Sequence, residues 1–456
     1  MAASEPNPGQ RSPSTDEAMP PDRGSLNPVP SGVSAQSGSS AAAVPAKHHG
    51  GAFRLLTRTF ESLSNRDYRW LWIGMMTGMS GTQMQMLARG ILVYDITGSY
   101  ALTGIVSVGF APAMIFGSIL SGTVTERIER RALIQLTQLG QVVLALSIGL
   151  LVFADMIIWQ HILVASIIQG LMFAFMMPAR QVVIPKIVGK RLMSNAMSLN
   201  SAAMSFTAMA APAVGGILYA VIGPDGVYFV VAGLNLVAIG MTGLLPKFPP
   251  DPNAPRRSII SNTAEGFRYV RQNRTLMSVI AFVALGTILS MPFRMLLPAI
   301  SSDVFDASEF ETGVLVAMMG LGSLIGALAI AALRQGQRRG IVLMASAFVS
   351  AFGLVVFASL PYYWVGIFIM LFMGIGEAGR FALGQALSME ETDDEHRARV
   401  ASLFQMTFGL MPLGILPVSL AMEVYGAEPT LFVLGLILFA TSVISLGFMK
   451  KLRQLG

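Results

Sequence analysis

Three ionisable side chains fall inside long apolar segments of the sequence: Arg89, Arg294 and Glu377. An isolated charge within a bilayer costs several kcal/mol unless it meets water or a partner. A carboxyl group in such surroundings can take up and release a proton near physiological pH. We therefore predict that Glu377 couples to protons. The alternative is that Arg380, one helical turn later, pairs with Glu377 and keeps it ionised.

Small and polar residues recur at helical spacing around the two arginines. They are Gly78, Thr82, Gln85 and Arg89 in one segment, and Thr287, Ser290 and Arg294 in another. We predict that both sets border a central cavity, where a substrate contacts Gln85, Arg89, Thr287, Ser290 and Arg294. Two alternatives remain for Arg89: its side chain reaches the nearby membrane interface, or it pairs with Asp95.

The segments that carry these side chains have the composition of membrane-spanning helices. The chain has 456 residues, of which 53% are hydrophobic and 12% are charged. A bilayer core about 30 Å thick requires roughly 20 apolar residues per helix. Runs of that order lie near 70–94, 101–122, 132–154, 159–178, 195–220, 227–245, 275–300, 311–333, 341–359, 362–383, 401–424 and 429–449. The sequence therefore predicts an all-α integral membrane protein with twelve transmembrane helices.

The distribution of Lys and Arg predicts the orientation of these helices. Basic residues concentrate before residue 70, in loops near 127, 180–191, 247–274, 334–339 and 380–399, and after residue 449. The alternate loops contain acidic residues but no Lys or Arg. Because basic loops stay in the cytoplasm, we expect both termini to be cytoplasmic and the protein to lie in the inner or plasma membrane.

Composition also argues against several classes of function. The net charge of +6 is explained by membrane topology, so we do not expect nucleic-acid binding. The chain has no Cys and only four scattered His, so we expect neither a metal site nor a cofactor. No phosphate-binding loop of the P-loop type is present, which argues against ATP as the energy source. We do not expect an enzyme.

The polar intervals divide the chain into four predicted regions. Residues 1–60 form a cytoplasmic tail that is rich in Pro, Ser, Ala and Gly and is predicted to be disordered. Residues 66–246 and 275–456 form two six-helix bundles, and 247–274 form a cytoplasmic linker between them. The stretch "MSNAMSLNS" at 193–201 aligns with "RARVASLFQ" at 397–405, which indicates an internal duplication. Repeats of this kind are typical of transporters that work by alternating access.

A short charged motif, "GTVTERIERR", lies between the second and third predicted helices. It resembles the motif G-x-L-x-D-R-x-G-R-R/K of the major facilitator superfamily. The matching residues are Gly122, Glu126, Arg127, Arg130 and Arg131. Glu126 replaces the usual Asp, and Glu129 replaces the usual Gly. The resemblance implies a cytoplasmic gate, in which the acid meets a helix terminus and the arginines hold it in place. The alternative is a loop that only satisfies the positive-inside rule.

The fifth predicted helix contains "AAPAVGGIL", which resembles the G-P-x-x-G-G motif of drug and metabolite antiporters. Its matching residues are Pro212, Gly215 and Gly216, with Ala211 in place of the first Gly. The alternative is tight helix packing of a general kind. Further stretches, among them "NRDYRWLWIG" and "PARQVVIPKIV", resemble the bacterial branch that contains enterobactin exporters and macrolide efflux pumps.

These resemblances imply a secondary active transporter. We expect it to export a small amphiphilic compound, such as a drug, siderophore or metabolite, by alternating access, in exchange for protons and as a monomer. One alternative is a proton-linked importer or an uncoupled facilitator of a nutrient. Another is a membrane receptor or scaffold that does not transport.

Overall fold

The computed structural model describes residues 60–117, 128–249, 259–331, 339–393 and 396–448. The first half of the molecule begins with three helices separated by short connections. They are α1 (Arg66–Thr97), α2 (Tyr100–Val108, continuing to Gly117 as one span) and α3 (Arg130–Phe153). The rest of this half is one nearly continuous helical stretch, Trp159–Gly243.

Two glycines divide that stretch into three helices. Gly189 and Gly223 have φ angles of 67° and 75°, which interrupt the right-handed helix. We number the resulting helices α4 (159–189), α5 (190–222) and α6 (223–243). The sequence predicted a break between each of these spans, because the apolar runs end near residues 178 and 220.

The second half repeats this arrangement after a linker helix, α7 (Ile259–Gln272). Its helices are α8 (Arg274–Phe305), α9 (Glu309–Ala331), α10 (Arg339–Ser359), α11 (Tyr363–Glu390), α12 (Arg397–Met406), α13 (Met411–Tyr425) and α14 (Ala427–Phe448). A 3₁₀ turn at Thr407–Leu410 joins α12 to α13, so the two helices follow each other as one element.

The described residues agree with the predicted twelve spans. Ten helical stretches are long and apolar enough to cross a bilayer. One of them, Arg191–Gly243, has 53 residues and is divided at Gly223, so it provides two spans. The remaining span is α1, a 32-residue helix that also carries charged residues. The fold is therefore all-α, with two six-helix bundles.

The first helix of each half shows the duplication in detail. Both α1 and α8 contain 32 residues. Asn65 and Asn273 cap their first turns by accepting hydrogen bonds from backbone N–H groups. Gly98 and Asp306 end them in the left-handed conformation. Equivalent local signals thus begin and end equivalent helices.

The helix ends lie on two opposite sides of the molecule. We call one side the acidic end: it contains the connections at 98–99, 154–158, 306–308 and 360–362. We call the other the basic end: it contains Asn65, the start of α3 and the linker. One sequence-based expectation at the basic end was wrong. The predicted loop at 180–191 is largely helical, because α4 continues to residue 189. The predicted linker contains α7.

Candidate substrate and proton site

An ion pair links α8 to α11 near the middle of the second half. The Nη1 atom of Arg294 lies 3.2 Å from Oε1 of Glu377, and the two side chains are 32% and 13% exposed. The other carboxylate oxygen, Oε2, is buried and has no hydrogen-bond partner within the described ranges. The structure therefore pairs Glu377 with Arg294 rather than with Arg380.

Arg380 lies on the same helix and contacts α8 differently. Its side chain is buried, and its Nη2 donates a hydrogen bond of 2.5 Å to Oγ of Ser290. A Cβ atom at Gly286 would lie 2.7 Å from Cδ of Arg380, so a larger residue would require this side chain to shift. Its Nη1 is buried without a hydrogen-bond partner among the residues described. Ser290, Arg294, Glu377 and Arg380 thus form one cluster, which we call the α8/α11 cluster.

A second polar cluster joins α1 to α4 in the first half. Nη1 of Arg89 donates to Oγ of Ser166 and to Oε1 of Gln169, at 2.9 and 3.1 Å. Nε2 of Gln169 in turn donates to Oε1 of Gln85 at 2.9 Å. Gln85 and Arg89 are both buried. This network satisfies the Arg89 guanidinium inside the first half.

Neither alternative for Arg89 matches its position. The side chain is 7% exposed and does not reach a helix end. Asp95 instead accepts a hydrogen bond of 3.0 Å from the hydroxyl of Tyr219. Thr287, another predicted substrate contact, is buried and donates to the backbone carbonyl of Val283 on its own helix. Its hydroxyl proton is therefore already used.

Sequence reasoning missed Arg180, which it assigned to a cytoplasmic loop. The structure buries this residue in α4, with Nη2 only 3.5 Å from where a Cβ atom of Gly78 would be. Gly78 and Gly286 occupy equivalent positions in α1 and α8, and each faces an arginine from the fourth span of its half. Because this proximity is a tertiary contact, spacing along the chain gave no signal for Arg180.

The motif around Pro212 lies where the two halves meet. A Cβ atom at Gly216 on α5 would approach the carbonyl oxygen of Glu309 to 2.6 Å and Cα of Gly313 to 2.9 Å. A Cβ atom at Gly313 on α9 would lie 2.9 Å from the carbonyl oxygen of Pro212. Gly215 contacts Met84 of α1. The motif therefore forms a backbone-to-backbone seam between the halves.

Hydrogen bonds close the halves against each other at the acidic end. The hydroxyl of Tyr100 on α2 donates to Oδ2 of Asp303 on α8 at 2.7 Å. Oε2 of Glu423 on α13 accepts from Oγ of Ser99 and from the backbone N–H of Ala101, each at 3.1 Å. Glu423 thus caps the N-terminus of a helix in the opposite half, where a negative charge is favoured.

The α8/α11 cluster lies just inside this closed end. Gly90 on α1 faces Pro298 on α8, so that a Cβ atom at Gly90 would lie 2.8 Å from the proline ring. Arg294 is one turn before Pro298, on the side toward the basic end. The contacts of the acidic end therefore lie between the cluster and that side of the molecule.

The two arginines of the charged motif that the structure describes stabilise the first half. Nη1 of Arg130 donates to the carbonyl oxygen of Pro249 at 2.9 Å. Nη1 of Arg131 donates to that of Leu245 at 2.5 Å. Both acceptors follow the end of α6, where carbonyl groups lack helical partners. Gly122, Glu126 and Arg127 lie outside the described residues.

Comparison with known proteins establishes the family. The family model described as "Transmembrane secretion effector" matches residues 57–455. The chain belongs to this family of major facilitator superfamily transporters. It is 24% identical over 390 residues to macrolide efflux protein A of Streptococcus pyogenes, covering 82% of this chain and 94% of that protein. It is 25% identical over 326 residues to the enterobactin exporter EntS of Shigella boydii serotype 18, covering 71% and 74%.

A solved structure of the nucleoside transporter NupG shares the fold of this transporter. The TM-score is 0.67 at 15% sequence identity, and the match covers 84% of this chain and 98% of that chain. These comparisons confirm the resemblance inferred from the motifs. The chain is a multi-pass membrane transporter, which agrees with the prediction that it is not an enzyme.

Proposed function

We propose that this transporter exports a small amphiphilic organic compound, such as a drug, siderophore or metabolite, in exchange for protons. Two halves, 66–246 and 275–456, rock about the seam formed by α5 and α9. Linker 247–274 joins them, and the transporter acts as a monomer. The acidic end faces outward, so both termini are cytoplasmic and the protein lies in the inner or plasma membrane. The names of the efflux relatives support export over import.

The position of Glu377 supports proton coupling. It lies mid-way along the 28-residue α11, with one oxygen paired to Arg294 and the other buried without a partner in the structure described. A proton bound at Oε2 would neutralise this carboxylate and release Arg294 from its ion pair. Proton binding would thereby change the contact between α8 and α11 just inside the closed end.

Everted membrane vesicles provide the test. We would acidify their interior, follow a pH-sensitive dye and add a panel of amphiphilic drugs and siderophore-like compounds. Dissipation of the pH gradient by particular compounds, but not in vesicles without the protein, is the result expected for proton antiport. No response across the panel would contradict the proposed coupling and favour an uncoupled facilitator or a protein that does not transport.

Glu377→Gln should abolish this proton-driven flux and leave substrate exchange largely intact, because the amide cannot carry and release the proton. Glu390→Gln is the matched control, since Glu390 lies on the same helix but is half-exposed and pairs with Arg339 at the basic end. Transport in Glu377→Gln that keeps the wild-type dependence on pH would rule out Glu377 as the coupling residue.

A further inference from the structure

Two buried polar atoms that have no hydrogen-bond partner in the described part of the chain lie one helical turn apart on α11. They are Oε2 of Glu377, an acceptor, and Nη1 of Arg380, a donor. Residues three apart share one face of a helix, so these atoms can contact the same small group. A buried polar atom that lacks a hydrogen bond is costly, and a ligand that pairs with both atoms removes both penalties.

We infer that the transported compound carries a neutral group with a hydrogen-bond donor next to an acceptor, such as a vicinal diol, an α-hydroxy ketone or a primary amide. Its O–H or N–H donates to Oε2 of Glu377, and its neighbouring oxygen accepts from Nη1 of Arg380. This inference rests on the proposed function, because it defines the part of the exported molecule that contacts the α8/α11 cluster.

The surrounding residues hold both atoms in place. Ser290 accepts from the other terminal nitrogen of Arg380, and Gly286 lets the guanidinium lie against α8. Arg294 holds the other oxygen of Glu377. Each side chain is therefore fixed by one contact and keeps one buried atom that has no hydrogen-bond partner among the described residues. A site whose groups are held before the ligand binds loses less entropy on binding.

The unpaired atoms of the cluster favour a neutral group with a donor and an acceptor over an ion. The two guanidinium groups outnumber the one carboxylate and attract an anion, but an anion has no proton to donate to Oε2 of Glu377. An ammonium group would meet the guanidinium groups of Arg294 and Arg380, which are not balanced by a second acid in the cluster. A paired donor and acceptor carries no net charge and meets neither obstacle.

The same geometry makes the proton and the cargo compete for Oε2 of Glu377, as antiport requires. When Glu377 is ionised, Oε2 accepts a hydrogen bond from the cargo. When a proton occupies Oε2, the position of the cargo's donor is taken, so binding weakens. An anionic cargo held by the arginines would behave in the opposite way, because protonation of Glu377 would favour its binding.

Two isomeric probes test the inference. We would measure equilibrium binding of radiolabelled decane-1,2-diol and decane-1,10-diol to the full chain in lipid nanodiscs, after subtraction of binding to empty nanodiscs. The adjacent hydroxyls of the first isomer can pair with both atoms, whereas the second can reach only one. We expect roughly tenfold tighter binding of the 1,2 isomer at mildly alkaline pH, and weaker binding as the pH falls.

Two variants separate the atoms involved. Arg380→Lys should remove most of the preference for the 1,2 isomer, because one ammonium group cannot both contact Ser290 and take the place of Nη1. The control is Arg271→Lys, an exposed substitution in the linker, which should keep the preference. Glu377→Gln should bind the 1,2 isomer without dependence on pH, since an amide oxygen still accepts a hydrogen bond.

Several outcomes would overturn the inference: no binding of either isomer, equal binding of both, an unchanged preference in Arg380→Lys, or tighter binding at low pH. The pH dependence of binding to the wild-type protein tests the inference even if a variant fails to fold. Failure of the proposed function is distinguishable, because it appears in the vesicle assay as an absence of compound-driven proton flux. A pH gradient dissipated by compounds that lack a paired donor and acceptor would refute only the inference.

Discussion

Replacing Gly216 by alanine should open the acidic end of the transporter. The new Cβ atom would lie 2.6 Å from the carbonyl oxygen of Glu309 and 2.9 Å from Cα of Gly313. Both neighbours are backbone atoms, so no side-chain rotation relieves the clash. The helices α5 and α9 must separate until the shorter contact reaches ordinary van der Waals distance, about 3.4 Å.

The size of the effect follows from the cost of overpacking, which is typically about 1–3 kcal/mol. The clash exists only while the acidic end is closed, so the whole cost falls on that state. The ratio of open to closed molecules should therefore rise roughly 5-fold to 150-fold. The greater helix propensity of alanine, about 1 kcal/mol, acts on both states and does not change this ratio.

Spin-label distances measure this ratio directly, because the chain contains no native Cys. We would label Met156→Cys and Tyr362→Cys, which lie in opposite halves at the acidic end and are each 65% exposed. Gly233→Ala is the matched control, since no atom lies within 4 Å of its new Cβ position. If Gly216→Ala gives the same distance distribution as Gly233→Ala, the seam does not determine closure and the reasoning is refuted.

Three further substitutions test other contacts. Glu423→Gln weakens the cap across the halves by about 1–2 kcal/mol, so the same labelled pair should report more open molecules; no change would mean that this cap does not hold the halves together. Arg89→Met leaves Ser166 and Gln169 without their donor and should destabilise the fold by about 1–3 kcal/mol, seen as a lower Tm in detergent, whereas an unchanged Tm would contradict a structural role. Arg131→Ala removes the donor to the end of α6 and should lower Tm by a few degrees, which corresponds to a loss of about 1 kcal/mol in the free energy of unfolding. Lys247→Ala, at an exposed residue, should leave Tm unchanged. Equal Tm values for these last two variants would show that Arg131 does not stabilise the end of α6.

The contacts also distinguish residues that stabilise the fold from residues that act in transport. The network around Arg89 is satisfied within the first half and resembles a structural element. The α8/α11 cluster contains atoms that have no partner among the described residues, and it lies beside the region where the halves meet. We expect substitutions in the first group to affect stability, and those in the second to affect transport.

The sequence alone determined the membrane class, the number of spans and the family. Apolar runs of about 20 residues are a local property that the bilayer thickness selects directly, so their count does not depend on tertiary contacts. Motif residues such as Pro212 and Gly216 were likewise visible as a pattern. The sequence also placed Glu377 inside a helix, because the flanking residues are apolar on both sides.

Only the tertiary structure decided which side chains meet. Neighbours in sequence suggested that Glu377 pairs with Arg380, but its partner is Arg294, 83 positions away on another helix. Asp95 was a plausible partner for Arg89, yet its carboxylate binds Tyr219. Arg180 was assigned to a loop because basic residues usually mark the cytoplasmic face, but the continuation of α4 buries it. Spacing along one helix fixes which residues share a face, whereas the partner of that face depends on how separate helices pack, and this information is not local.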